Sequence, residues 1–487
     1  MMANCQTRRA ILERPLRPDL SEVDGLLRSF AEEATRYLHS LPERAVRMPD
    51  ADQIADGFGG ELPDRGVGAE ATLRSLWGAL DATITSAGPR FFHFVIGGST
   101  PAALAADWAT STLDQNNGAW VTSPLAARLE VLSITWLKQL FGLPASWGGV
   151  LTSGATMANF TALACARRWW GLQHGHDIED TGFTDLPPIP VFSSGYIHPS
   201  ATKALAMLGV GRSTVKTLGR DAAGRLDVAA LEEELRALDG APAIVVANAG
   251  EVNAGDFDPI ATMADLTEKY GAWLHVDGAF GLFATLSPRT RHLTEGVERA
   301  HSVIADGHKW LNVPYDSGFA FVRDPSLLAG VFALAAAYLP AVDDARPVYF
   351  NLGPESSRRA RSLAIWATLN AYGREGHREM VERQLDLAQR IAQRVDDAPD
   401  LERLAEVQLN VVCFRFHPAD KSEAELDELN RRLGEMVLED GRVYVGTTVY
   451  EGRVAFRPAL VNWQTQERDV DLLVDVVREL GATLVEE

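Results

Sequence analysis

The stretch Ser302-Val-Ile-Ala-Asp306-Gly-His-Lys309-Trp-Leu-Asn312 decides how the rest of this chain is read. A short apolar run ends in an aspartate, and a glycine, a histidine and a lysine follow at once. In open sheets of parallel strands, ligands bind beyond the carboxyl ends of the strands. A lysine at such an end faces a pocket, where desolvation lowers the pKa of an amine toward its nucleophilic form. Taken alone, a lysine after a strand is a surface residue, so its companions matter. Trp273-Leu-His-Val-Asp277-Gly-Ala-Phe-Gly281 repeats the pattern, with an apolar run ending in a carboxylate. A carboxylate there is unfavourable unless a cation meets it.

Working outward, short β-rich runs at 190–194, 213–218, 243–248, 272–277, 302–306 and 318–322 are separated mostly by helical stretches. The segments 228–238 and 260–270 have helical spacing, with Asp227 and Asp258 as caps. Strands with little alternation are covered on both faces, and this order predicts an α/β fold with a mostly parallel sheet between helices. That pattern fills residues 96–370, the expected large domain. Residues 1–95 read as helices and loops, too poor in apolar residues to stand alone. Residues 371–487 read as a smaller α+β domain with a helix at 379–395, strands at 408–416 and 453–460, and a last helix at 467–480.

A net charge of −20 argues against nucleic acid or an anionic membrane surface as partner, since both need basic patches. The three cysteines, Cys5, Cys165 and Cys413, form neither a disulfide framework nor a metal pair. With no secretory h-region and no long apolar span, the expectation is a soluble cytoplasmic protein.

A protonated pyridine nitrogen is a cation that would meet Asp277; binding a metal or capping the following turn is the alternative, though no second carboxylate or His pair with ligand spacing accompanies it. A lysine and an acidic pyridinium partner are the protein groups that pyridoxal 5′-phosphate uses. Its phosphate needs a seat, and Thr152-Ser-Gly154-Ala155-Thr156 enters a helix with small and hydroxyl residues whose free N–H groups suit an anion. Alone, this turn is an ordinary capped helix. His198, in Tyr196-Ile-His198-Pro-Ser200, follows a strand and opens another helix, where an imidazole either stacks on a flat ring or is structural. His174-Gly-His176 has metal-ligand spacing but lies in a polar, irregular stretch and reads as a solvated loop; no metal is expected.

These motifs together resemble the group II pyridoxal-phosphate decarboxylases, which act on aromatic amino acids, histidine and glutamate. The resemblance runs from about residue 91 to the C-terminus and is carried by HVDGAFG and ADGHKW in order and spacing. It implies an aspartate-aminotransferase-like fold of type I and a homodimer with the active site at the interface. Residues 1–95 are then expected to pack on the partner, and 117–124 (NGAWVTSP) to reach across to it. It further implies a Schiff base on Lys309, Asp277 at the ring nitrogen, His198 stacked on the ring and Ala279 beneath it. Gly154, Ala155 and Thr156 match the phosphate turn, His308 precedes the lysine, and Asn253 falls in a cofactor-lining loop. Phe92 and His93 match the substrate pocket, and Trp120, with Phe91, Phe94 and Tyr349, adds aromatic character. Arg457 is placed to meet a carboxylate, whereas Arg358, Arg359 and Arg361 read equally as surface charges at a helix start.

Three positions depart from the family pattern. Asp306 stands where relatives carry asparagine; a carboxylate beside a phosphate is unfavourable, so Asp306 is expected to turn elsewhere. Gly154 replaces a serine. The loop between Tyr338 and Arg358 is shorter than in the aromatic decarboxylases, where a loop tyrosine returns the proton; Tyr349 is the nearest equivalent. The expected reaction is decarboxylation of an L-amino acid to the amine; the aromatic residues Phe91, Phe92, Phe94, Trp120 and Tyr349 suit an aromatic side chain in the pocket and suit core packing at least equally. Aldolase, transaminase or aldehyde-forming oxidative chemistry on the same cofactor is the alternative, and a non-catalytic cofactor-binding homologue the remote one.

Overall fold

The structure is a computed structural model that describes residues 17–333 and 346–486. Among these residues seven strands form one sheet: β1 (Gly148–Thr152), β2 (Val191–Ser193), β3 (Val215–Thr217), β4 (Ile244–Asn248), β5 (Trp273–Asp277), β6 (Ser302–Asp306) and β7 (Gly318–Val322). Their order is β1-β7-β6-β5-β4-β2-β3. Strands β2 to β6 run parallel, while β7 is antiparallel to both β6 and β1. The expected α/β architecture is therefore present. Strands β4, β5, β6 and β7 are buried along their whole length, which is why their sequences do not alternate.

Strand β1 was not expected; its sequence reads as a turn entering a helix. Val150 and Leu151 are buried there, each contributing about 1.5–3 kcal/mol, and the run pairs with β7 from Gly148↔Val322 to Thr152↔Gly318. The cap assignment also divides. Asp227 accepts from the Ala230 N–H at 3.0 Å. Asp258 caps nothing: its carboxylate accepts from the backbone and side chain of Asn248 and from Ser194.

The C-terminal region carries a four-stranded antiparallel sheet, β8 (Leu401–Arg403), β9 (Phe414–Phe416), β10 (Thr447–Tyr450) and β11 (Arg453–Phe456). The strand expected over 408–416 shrinks to its last three residues, because Asn410 and Val411 bridge to Leu460 and Ala459 outside a regular ladder. The helix expected at 379–395 begins much earlier, at Ser362, and runs to Asp396 with a break at Gly373, where φ is 59°. Its two halves feed different cores: Ile365 and Leu369 belong to the large one, Leu387 and Ile391 to the small one.

Residues 90–92, inside the region expected to be helical, lie along the small domain. Phe92 N–H donates to Tyr444 O, Tyr444 N–H to Arg90 O, and Ala459 N–H to Phe92 O. Phe92 is buried in the small-domain core.

Candidate active site

The in-register ends of the central strands build the site. Asn248 pairs with Asp277 across β4 and β5, and Asp306 and Thr152 both lie opposite Gly318. Beyond Thr152 the chain turns through Gly154 into the helix Ala155–Gln173, whose first N–H groups face Lys309 and Asp306 across a shared cavity. Gly154 has φ +149°, and a Cβ there would come within 2.9 Å of His308 Cε1. A side chain at this position is therefore strained, and glycine avoids that strain.

Two adjoining cavities share Ala155, His198 and Lys309. One is a cup of Ser153, Gly154, Ala155, Thr156, Ser200, Asp306 and His308. The other is walled by Tyr196, Asn248, Glu251, Val252, Asp277, Ala279 and Phe280. Larger clefts, beside Arg383 and Trp463 and beside Phe30 and Trp77, lie away from these groups.

Asp277 is nearly enclosed, and among the described residues it has no ion-pair partner. Its Oδ1 accepts from the Ala279 N–H at 3.2 Å and its Oδ2 from Asn159 Nδ2 at 2.9 Å. Behind it a chain of buried hydrogen bonds has a fixed direction. An indole only donates, so Trp273 Nε1 gives its hydrogen to Ser302 Oγ at 3.0 Å. The serine hydroxyl then donates to His275 Nδ1 at 2.8 Å, and His275 Nε2–H to Asn159 Oδ1 at 2.8 Å. Asn159 Nδ2 is left to donate to Asp277. Burial pushes the His275 pKa down to about 4, so the imidazole is neutral, as this direction requires. Asn159, His275 and Ser302 went unrecognised in the sequence. The available signal was the two-residue spacing of His275 and Asp277, which puts both side chains on one face of β5.

His198 caps the helix Pro199–Met207. Its Nδ1 accepts from the Ser200 N–H at 3.2 Å and lies 2.7 Å from the Ser200 hydroxyl, so the ring hydrogen belongs on Nε2. Burial lowers its pKa, keeping the ring neutral. His308 follows the same logic: Ser317 N–H donates to Nδ1 at 3.2 Å, and the ring stacks on Tyr315. The expectation that Asp306 turns away is corrected. Its Oδ2 lies 3.3 Å from Lys309 Nζ and 3.5 Å from His308 Nε2, because the buried carboxylate finds its cation in the lysine.

Several expected pocket residues are not brought to these cavities. Tyr349 is buried in the large core beneath the Arg358 guanidinium, does not line either cavity, and has its phenol pKa pushed up by burial. Tyr338 lies outside the described residues. Phe92 is a core residue, and Trp120 packs on the large core under Arg346. His93 accepts from the Gly446 N–H at 3.1 Å, and burial, then Arg457, lowers its pKa to about 4. Asn253 is held by Thr448, while its loop reaches the cavity through Gly250, Glu251 and Val252. Arg358 and Arg361 are buried and paired, with Glu130 and with Asp316 and Glu355, leaving only Arg359 as an exposed charge. The His174–His176 segment is tied down by Asp177, which pairs with Arg168.

The residues fit pyridoxal phosphate: a lysine amine, a carboxylate without a cation and a helix N-terminus border connected cavities. Asp306 is the one group in the cup that a phosphate does not call for. The model of the pyridoxal-dependent decarboxylase conserved domain matches residues 73–417. An aromatic-L-amino-acid decarboxylase of Bacillus atrophaeus is 29% identical over 440 residues, covering 89% of each chain. A cysteine sulfinic acid decarboxylase of Rattus norvegicus is 27% identical, over 97% of this chain and 99% of its own. The crystal structure of Oryza sativa TDC with PLP and tryptamine superposes with a TM-score of 0.87 at 26% identity, over 95% of this chain and 98% of that one. The chain belongs to the pyridoxal-dependent decarboxylase family and is a pyridoxal-phosphate-dependent carboxy-lyase of fold type I.

Proposed function

We propose that Lys309 is the point of attachment of the cofactor and that the enzyme removes the α-carboxyl group of an L-amino acid, aromatic in side chain, to leave the amine. The observation that carries this reading is the convergence of Lys309, Asp277 and the turn Gly154–Thr156 on adjoining cavities. The bound cofactor supplies an electron sink for the pair released when the carboxyl group departs. Asp277, held as an acceptor by Asn159 and Ala279, keeps the ring nitrogen protonated. His198, which lines both cavities, would stack on the cofactor ring, and its Nε2–H would steer a carboxylate. Arg457 offers the substrate a second anchor: its Nη1 donates to Val252 O beside the cavity, and among the described residues it has no ion-pair partner.

The aromatic preference is supported by Tyr196 and Phe280 in the wall and by the Bacillus relative. The homodimer is part of this reading. Exposed apolar side chains on the segments expected to reach the partner, Leu27, Leu76 and Val121, support it. So is a cytoplasmic location, supported by the free, buried Cys165 and Cys413. Among the described residues no helix is long and apolar enough to cross a membrane.

Borohydride reduction of the cofactor-loaded protein, followed by peptide mapping, should leave the adduct on Lys309; an adduct on another lysine refutes the assignment. Incubation with individual amino acids, with products identified by mass, should give an amine and carbon dioxide from an aromatic substrate. An aldehyde product would establish the oxidative alternative instead.

A further inference from the structure

Asp306 is almost fully enclosed, and its Oδ1 has no hydrogen-bond partner among the described residues. That oxygen lies against Gly154, in the turn that forms one side of the cup: a Cβ on Gly154 would stand 3.6 Å from it. The other oxygen faces Lys309 and His308. A helix N-terminus attracts an anion into this cup, while a carboxylate in its wall repels one.

The groups facing Asp306 determine how that conflict resolves. His308, from the same turn, and His198, from the start of the helix Pro199–Met207, are both held neutral by burial. Tyr315, stacked on His308, has its phenol pushed up to about 12 by burial and by Asp306, so it stays neutral. Asp316, also near His308, is paired with the Arg361 guanidinium at 2.7 Å and adds little net charge. The one cation in direct contact among the described residues is Lys309, whose nitrogen is the atom the cofactor engages. An oxyanion brought against this buried carboxylate repels it, and a proton shared between the two relieves the repulsion.

Resting on the site assignment above, we propose that Asp306 and the cofactor phosphate hold one proton between them, so that loading the site takes up a proton from solvent that an amide at position 306 would not require. The proton bridges an Asp306 oxygen and a phosphate oxygen; no other bond changes. Asp306 is thus a positioning residue that sets the protonation state in which the phosphate is accepted.

The test is equilibrium titration of the full chain, freed of cofactor, with pyridoxal phosphate and with pyridoxal, for the native protein and Asp306→Asn. A free phosphate loses its second proton near pH 6, so each further pH unit should weaken the native protein about tenfold relative to the variant. Between about pH 6.5 and about pH 8.5 the ratio of the two affinities should change roughly a hundredfold for pyridoxal phosphate, and little for pyridoxal. Calorimetry of the native protein in two buffers of different ionisation enthalpy should record the uptake directly, whether or not the variant folds. Parallel pH slopes, or a variant effect equally large with pyridoxal, would overturn the inference and leave Asp306 as a counter-ion to Lys309. Failure of the site assignment itself is reported separately, by the borohydride adduct.

Discussion

Asn159→Leu tests whether the buried chain from Trp273 to Asp277 supports the fold as a unit. Leucine keeps the branching of asparagine and leaves no cavity, but its larger methyls replace atoms held at 2.8–3.2 Å, so some overpacking adds to the loss of the polar contacts. Three are lost: the donation to the Asp277 carboxylate at 2.9 Å, the donation to Ser200 Oγ at 3.2 Å and the acceptance from His275 Nε2 at 2.8 Å. A hydrogen bond to a charged group contributes about 1.5–3 kcal/mol, and a buried donor left without a partner costs about 1–3 kcal/mol. Asn159 and His275 are wholly buried, so water does not replace the missing groups, and the expected loss is about 3–5 kcal/mol. Urea unfolding of the full chain, followed by fluorescence of the buried tryptophans, measures it as a lower midpoint at unchanged slope. Asn159→Asp should lose more, because it sets a second carboxylate against Asp277. A loss below about 1 kcal/mol for the leucine variant, or an aspartate variant as stable as the native chain, would refute the reasoning.

Acidification should destabilise the fold below about pH 6.5. Burial holds His275 and His377 near pKa 4 against an ordinary 6.5, so the unfolded chain binds more protons between those values. Stability is then lost as pH falls from about 6.5 to about 4, by about 3 kcal/mol for each histidine. His93 and His301, also lowered to about 4, add to this; Asp258, pushed up to about 6 by burial, and Glu251, raised by burial, work in the opposite direction but are two groups against four. Urea midpoints at about pH 7.5 and about pH 5 check this; a higher midpoint at the lower pH contradicts it. Glu130→Ala should cost about 3–5 kcal/mol, because it strands Arg358 in a site where both members of the pair are buried. Thermal unfolding reads the loss, and a change no larger than that of an exposed pair such as Arg74–Glu70 would count against it.

What the sequence revealed about the site was local. Lys309, Asp277, His198 and the turn at Gly154 each sit where a strand gives way to a loop or helix, and that boundary is visible in a few consecutive residues. What stayed hidden depends on contacts between distant segments. Asn159 looks like any polar residue one turn into a helix until His275 and Asp277 are seen on either side of it. Phe92 looks like a pocket wall in an aromatic run, yet it is claimed by a core whose other members follow residue 386. Tyr349 has the right chemistry for a proton donor, but its ring packs in the large core beneath Arg358. The turning away expected of Asp306 rested on the repulsion of a phosphate and overlooked the lysine three residues on. The sheet was legible for similar reasons: buried parallel strands announce themselves by composition, whereas β1 and the short strands of the small domain are defined by what they pair with.

The pairing of residues 90–92 with the far end of the chain bears on how the protein is made. His93 meets Gly446 across 353 positions, so a ribosome has released the aromatic run Phe91–Phe92 long before its hydrogen-bonding partners exist. During that interval two large apolar side chains wait without cover. The small domain is also not encoded in one piece, and a gene fragment starting after residue 95 would express it with an open seam where Arg90–Phe92 belongs.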